Sequence, residues 1–371
     1  MRDLIVFGED FTGLPSSTQH LIRTLAQTRR VLWVNSIGLR QPKWTLSDLK
    51  RAGQKLLGRG KGGYANQTRQ HPNIEVINLR TVPAPRSALA RRVARDMMIA
   101  QLKPWIQKLK LRSPILWTSL PTAADLCGHL GESAVVYYCG DDFSSLAGVD
   151  HACVAQHEAT LVERADLILT SGAALLTRFP ASKTHYLPHG VDLELFESFT
   201  ERAQDLPNDG KPIAGFYGSL SNWLDYPLID DVSARHPEWH FVFIGPQELS
   251  HNPLPKRDNV HYLGPKAHHE LPRYSQHWSV GLLPFVDNEQ IAACNPLKLR
   301  EYLAAGKPVI SSRFPAALDY KNHLHLIDGV ECFSRALREI ETQRTYKPAA
   351  NLRAESWQAR GKEVATLLEA L

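Results

Sequence analysis

Cysteine is scarce in this 371-residue chain: Cys127, Cys139, Cys153, Cys294 and Cys332 are its five, scattered and with no C-x-x-C pair. That spacing excludes a disulfide scaffold and a cysteine-held zinc site, and makes a reducing cytoplasm the expected compartment. Long apolar runs are lacking as well. No charge-free stretch approaches the roughly 18 residues that a membrane helix needs. The opening MRDLIVFGEDF has a short apolar stretch flanked by acids and reads as a strand, not a secretory signal. The loop after the first strand, Gly8–Thr18, holds no G-x-G-x-x-G, so the dinucleotide fingerprint is missing there. No D-x-D stands on a suitable loop and the 16 His show no ligand spacing, so neither a divalent ion nor another cofactor is required.

What is present is an ordinary globular composition, 43% apolar and 22% charged. The length exceeds the roughly 250–300 residues at which single cores stop growing, so two domains are expected. The formal net charge of +5 hides a split. Residues 1–190 hold 24 Lys+Arg against 14 Asp+Glu, a net +10, and residues 191–371 hold 19 against 24, a net −5. Between Arg23 and Arg112, 20 basic residues meet three acids, Asp48, Glu75 and Asp96. Such segregation is either a solvated basic face or the footprint of an anionic partner.

Short runs rich in Val, Ile, Leu and aromatics recur along the chain with helical stretches between them. In the first half they are Asp3–Gly8, Arg30–Asn35, Asn73–Leu79, Pro114–Ser119, Ala134–Cys139, Asp166–Thr170 and His185–Leu187. In the second they are Ile213–Tyr217, Trp239–Ile244, Val260–Leu263, Val280–Pro284, Val309–Ser312 and Leu324–Ile327. The runs are continuous, not alternating, which marks strands covered on both faces by helices. The pattern predicts an α/β fold of two doubly wound sheets. Polar residues between His189 and Lys211, ending in Pro, Asn, Asp and Gly, read as the linker. The expected domains are therefore 1–190 and 191–350, with 351–371 a terminal helix packing back on the first.

In such sheets ligands bind beyond the carboxyl ends of strands. After the first strand, Asp10 and Gly13 lie in a loop that Ser16 or Ser17 closes as a helix cap. After the fifth, Asp141 and Asp142 stand side by side; one is a candidate general base, and an Asx-turn is the plainer reading. In the second half, Gly218-Ser219 precedes a helix expected near Trp223, an arrangement that suits phosphate. The richest segment is Asn295–Ile310. Asn295 reads as a helix cap, Pro296 as its first turn and Gly306 as its end. Lys298 and Glu301 share one helical face, either as a surface ion pair or as contacts to a diphosphate and to sugar or ribose hydroxyls.

These residues carry a resemblance. Asp10–Leu21 resembles the opening loop and helix of GT-B glycosyltransferases, and Val136–Phe143 their Y-x-x-D-D strand end. Leu187–Asp192 is similar to their P-N/H-G-V-D hinge entry, and Asn259–Gly264 to their V-x-x-L-G strand. Pro296–Pro308 resembles P-x-K-x-x-E-Y-L-A-x-G-K-P. The bacterial exopolysaccharide and cell-wall branch, with the teichuronic-acid and xanthan-type transferases, is the nearest in pattern. The resemblance implies two Rossmann-like domains facing across a cleft. A UDP- or GDP-linked sugar would lie on the second, and a glycan or polyprenyl-diphosphate-linked acceptor on the first. It implies Lys298 on the diphosphate, Glu301 on ribose or sugar, Gly218 and Ser219 near the phosphates, and Lys266 by the base, with Asn295 opening the donor helix. It also implies Asp141 or Asp142 as base. Retaining members carry a second glutamate eight positions before Glu301, where Ala293 stands, so an inverting displacement is expected.

Lys43–Arg59 has helical spacing, with Leu46, Leu49, Leu56 and Leu57 on one face and Lys50, Arg51 and Lys55 beside it. It reads either as a core-facing helix or as a basic helix on the anionic inner face of the cytoplasmic membrane. Two further functions stay open: a nucleotide-sugar epimerase on the same fold, and a nucleic-acid binder using the basic half with Trp33, Trp44, Tyr64 and Trp105. The latter leaves Lys298–Glu301 without a role, so no nucleic acid is expected.

Overall fold

The computed structural model describes residues 1–13, 15–36, 71–82, 87–140, 151–342 and 352–371. These form two compact units, Met1–Pro188 with Gly361–Leu371, and His189–Arg360. The first holds a seven-stranded sheet: β1 Leu4–Phe7, β2 Val31–Val34, β3 Ile74–Ile77, β4 Ile115–Thr118, β5 Ala134–Cys139, β6 Leu167–Thr170 and β7 Thr184–Tyr186. Its order is β3-β2-β1-β4-β5-β6-β7, and every pairing is parallel. The second holds β8 Ile213–Tyr217, β9 His240–Ile244, β10 Val260–Tyr262, β11 Val280–Leu283, β12 Val309–Ser312 and β13 His325–Ile327. Its order is β10-β9-β8-β11-β12-β13, again parallel throughout. Each apolar run read from the sequence is one of these strands, with ends that agree to within two residues.

Burial on both faces explains the unbroken apolar runs. All residues of β1, β2, β4 and β8 are buried. Trp33, Trp117 and Tyr137 of the first unit are fully covered, as is Trp239 of the second. Each such side chain contributes about 1.5–3 kcal/mol through apolar area removed from water. Chain order reverses between β1 and β4, and between β8 and β11. Those reversals open a crevice beyond the carboxyl ends of each sheet.

Two expectations change. The segment His189–Lys211 is not a free linker. It carries a short helix, Leu193–Glu197, capped by the Asp192 carboxylate, which accepts from Leu195 N–H. Phe196, Ala203 and Leu206 are buried in the second unit's core. Val191 is buried in the same core and Leu193 and Leu195 pack against it, so the polar majority of the stretch misleads. The expected terminal segment 351–371 divides. Residues 352–360 belong to the second unit, and Gly361–Leu371 to the first. There Val364 and Leu368 are fully buried, and Glu369 pairs with Arg29.

The helix Ala88–Lys108, capped by Ser87, has apolar residues on two sides. Ala94, Met98 and Leu102 are buried. Leu89, Val93 and Met97, also spaced by four, stay exposed at 74%, 45% and 41%. Among the described residues no helix is long and apolar enough to cross a membrane.

A folded Leu193–Leu206 segment makes a measurable difference. Leu206→Ala should cost about 2–5 kcal/mol, whereas Phe199→Ala, at a side chain 86% exposed, should fall within about 0.5 kcal/mol of wild type. Urea denaturation of both variants checks this, and equal stability would return the segment to a linker.

Candidate functional site

At the reversal in the second sheet, β8 and β9 end in glycine for a geometric reason. Gly218 has φ +148° and Gly245 φ +140°, a region that side-chain-bearing residues avoid. A Cβ on Gly245 would lie 2.0 Å from the Gly218 carbonyl oxygen, and one on Gly218 would lie 2.9 Å from Lys298 Cε. Two strand ends and one lysine therefore meet with no room for a side chain between them.

Lys298 comes from the helix Leu297–Ala304. The helix closes with the N–H groups of Gly306 and Lys307 donating to the carbonyls of Leu303 and Tyr302. Its start corrects the sequence reading. Pro296 is the N-cap residue, and no side chain caps it. Asn295 turns instead to Arg300, whose Nη1 donates to Asn295 Oδ1 at 2.8 Å while its Nε donates to Glu355 Oε2 at 2.8 Å. A buried guanidinium needs acceptors, and a charge-assisted bond outcompetes a neutral cap. The helix N-terminus consequently keeps its positive end next to Lys298.

The Lys298 ammonium lies 5.6 Å from the Phe216 ring centre and 5.9 Å from that of Phe285. Among the described residues it has no hydrogen bond or ion pair. Burial pushes it below the usual lysine range, opposed by the charges of Cys294 and Glu301. The surface ion pair with Glu301 does not form, because that carboxylate is taken. Its Oε1 is 2.9 Å from His268 Nε2, and its Oε2 accepts from the Tyr217 hydroxyl at 2.8 Å. Burial opposes the Glu301 charge, but the His268 hydrogen bond and charge, helped by Tyr217 and Lys298, outweigh it and hold the carboxyl below its usual range. Burial also opposes the His268 imidazolium, yet Glu301 and the charge of Asp192 raise it above its usual range. Burial pushes the Tyr217 phenol well above its own, so it stays a donor.

The remaining expectations divide. Lys266 is committed elsewhere: its Nζ lies 2.6 Å from Asp205 Oδ2 and 5.5 Å from the centre of the Tyr274 ring. Ser219 is half-buried beside Gly218. The helix expected near Trp223 begins at Tyr226, and the Asp225 carboxylate caps it. That carboxylate fills the place a phosphate would take, so any anion at Gly218 relies on Lys298 and its helix. In the first unit, Asp10 is exposed, accepts from the Ser36 hydroxyl at 3.0 Å, and gives its carbonyl to Gly13 N–H at 2.7 Å. Ser16 is the helix cap, accepting from Gln19 N–H and donating to Glu9 at 2.9 Å. Asp141, Asp142, Lys50, Arg51 and Lys55 lie outside the described residues. Among the described residues no group of three or more His, Cys, Asp or Glu is arranged for a metal ion.

Sequence reasoning missed Tyr217, His268, Gly245, Phe216 and Phe285. Tyr217 and Gly245 had a signal, since each sits at the end of a strand run. His268 had none, as 33 residues separate it from Glu301.

Comparison with known proteins bears on this geometry. Residues 211–342, from the start of β8 to the helix after β13, match the family described as glycosyl transferases group 1. Over 62% of its length the chain is 26% identical to a Bacillus subtilis (strain 168) protein that bears the name teichuronic acid biosynthesis glycosyltransferase TuaH. That match spans 65% of the relative, just under two thirds. The solved structure of Anabaena HepE in complex with UDP and glucose is similar over all of both chains, with TM-score 0.69 at 15% identity. Sucrose-phosphate synthase from Thermosynechococcus elongatus is similar with TM-score 0.70 at 16% identity, over 100% of this chain and 99% of that one. The fold is GT-B, with two parallel-sheet α/β units.

The contact at Gly245 can be checked in this GT-B chain. Gly245→Ala should cost about 1–3 kcal/mol from backbone strain alone, with the Gly218 carbonyl contact adding to it. A melting temperature within a degree of wild type would show that the two strand ends do not approach as described.

Proposed function

We propose that this chain transfers a sugar from a UDP- or GDP-linked donor, held by the second unit, to a glycan or polyprenyl-diphosphate-linked acceptor on the first, in cell-envelope or exopolysaccharide synthesis. One observation carries the donor assignment. A desolvated Lys298 ammonium lies over the glycine at the sheet's reversal, beside a helix N-terminus that no side chain caps. A low-dielectric cation without an anion is the arrangement that a departing diphosphate needs. The UDP and glucose bound in HepE support the same donor class. The relationship to TuaH supports an envelope polysaccharide as product.

In this reading, Lys298 and the helix dipole carry the leaving-group charge without a divalent ion. Glu301 accepts from ribose or sugar hydroxyls through its remaining lone pairs. Asp141 or Asp142 removes the proton of the acceptor hydroxyl. That oxygen forms its bond to the anomeric carbon as the bond to the diphosphate breaks, and the nucleoside diphosphate leaves with the electron pair. Thermal shift tests the donor half. UDP or GDP should raise the melting temperature of the wild type, and Lys298→Ala should lose the shift. Asp141→Asn or Asp142→Asn should keep that shift while losing transfer by about a hundredfold or more. A full shift in Lys298→Ala would overturn the donor site.

We also propose that the first unit works at the cytoplasmic face of the inner membrane. The basic excess of residues 1–190 supports this, as does the exposed Leu89, Val93 and Met97 stripe with Arg92 and Lys103 nearby. Apolar side chains bordered by cations suit an anionic interface. Replacing Leu89, Val93 and Met97 by Ser should reduce sedimentation with phosphatidylglycerol vesicles, and undiminished sedimentation would remove this helix from the membrane argument.

A further inference from the structure

Glu301 stands at the centre of three groups drawn from distant parts of the second unit. Tyr217 is the last residue of β8, His268 lies in the loop after β10, and Glu301 belongs to the helix that carries Lys298. His268 Nε2 and the Tyr217 hydroxyl engage opposite carboxylate oxygens, at 2.9 and 2.8 Å. A carboxylate with one bond to each oxygen has its plane fixed and keeps lone pairs on both oxygens. Tyr217 is itself held: its ring packs edge-on against Tyr302 at 4.8 Å, and the Tyr302 hydroxyl accepts its backbone N–H at 3.0 Å. The edge of Phe196 packs against the His268 ring at 5.6 Å.

We propose that His268, with Tyr217, is a positioning residue that fixes Glu301 for the nucleotide donor and whose charge sets donor affinity. The inference rests on the donor-site reading above. A nucleoside diphosphate is anionic and would enter beside the Glu301 carboxylate. Lys298 offsets the phosphates, and an imidazolium at His268 offsets the carboxylate. Among the described residues, the charges that act on His268 are those of Glu301 and, from the start of the helix Leu193–Glu197, Asp192. Both favour its proton, against the desolvation that opposes it. The sign follows. The imidazolium is present at low pH and is lost as pH rises through a value above the ordinary 6.5 or so. Neutral His268 still donates through Nε2 but no longer balances Glu301, so donor binding weakens with rising pH.

The test measures UDP affinity of the full chain by calorimetry between pH 6 and 9, and donor KM and kcat in the transfer assay. In wild type, UDP affinity should fall several-fold across that range. His268→Leu should raise donor KM roughly tenfold, the size of one charge-assisted hydrogen bond, with kcat changed little. His268→Gln keeps an N–H donor without the titration, so it should recover most of the KM and show a flat pH profile. Tyr217→Phe, which preserves the packing, should raise KM several-fold and keep the wild-type pH profile. Wild-type KM and pH dependence in both His268 variants would overturn the positioning role while UDP binding, and with it the donor site, stands. If the wild type binds no UDP or GDP at any pH, the donor-site reading fails and this inference falls with it.

Discussion

A cation taken out of water without a fixed anion is costly, and the carboxyl edge of the second sheet is arranged around one. Phe216 and Phe285 offer the Lys298 ammonium ring faces, and the charges of Cys294 and Glu301 oppose the burial that pushes it below the usual lysine range. The glycines follow from the same demand. Only Gly218 and Gly245 let two strand ends come close enough to leave the ammonium in the crevice instead of behind it. His268 and Tyr217 follow as well, since a carboxylate three residues away would otherwise close on the lysine and cancel it.

Two faces of the helix Leu297–Ala304 divide the work. One face carries Lys298 and Glu301. Arg300 points elsewhere, into a buried set with Asn295, Glu355 and the ring of Tyr320. Breaking a buried, hydrogen-bonded charge is expensive because it leaves partners unpaired. That set gives the helix an anchor on the residues after 351, and the position of Lys298 inherits its rigidity from there.

Much of the fold was legible because parallel strands buried on both faces write continuous apolar runs, and both sheets do so. The crevice of the second sheet was legible in part. Gly218, Lys298 and Glu301 lie near strand ends or on one helical face, where period and spacing carry information. His268 does not, because its approach to Glu301 depends on how a loop folds over a distance in sequence that no periodicity spans. Asn295 was misread for a related reason: a cap is a local inference, and a buried arginine five residues on claimed the side chain instead. The segment from His189 to Lys211 misled because a few inward-facing residues, Phe196 above all, outweigh a polar majority.

The division of the last helix between the two units has a consequence for how the chain is made. The first unit's strands are complete by Tyr186, and yet Val364 and Leu368 belong to its interior. During synthesis that unit must wait, with a strip of apolar surface uncovered, until Val364 and Leu368 have left the ribosome. The second unit waits almost as long for Glu355. Neither half can finish alone, so a chain interrupted late would present two incomplete cores to the quality-control machinery, not one finished unit and one fragment.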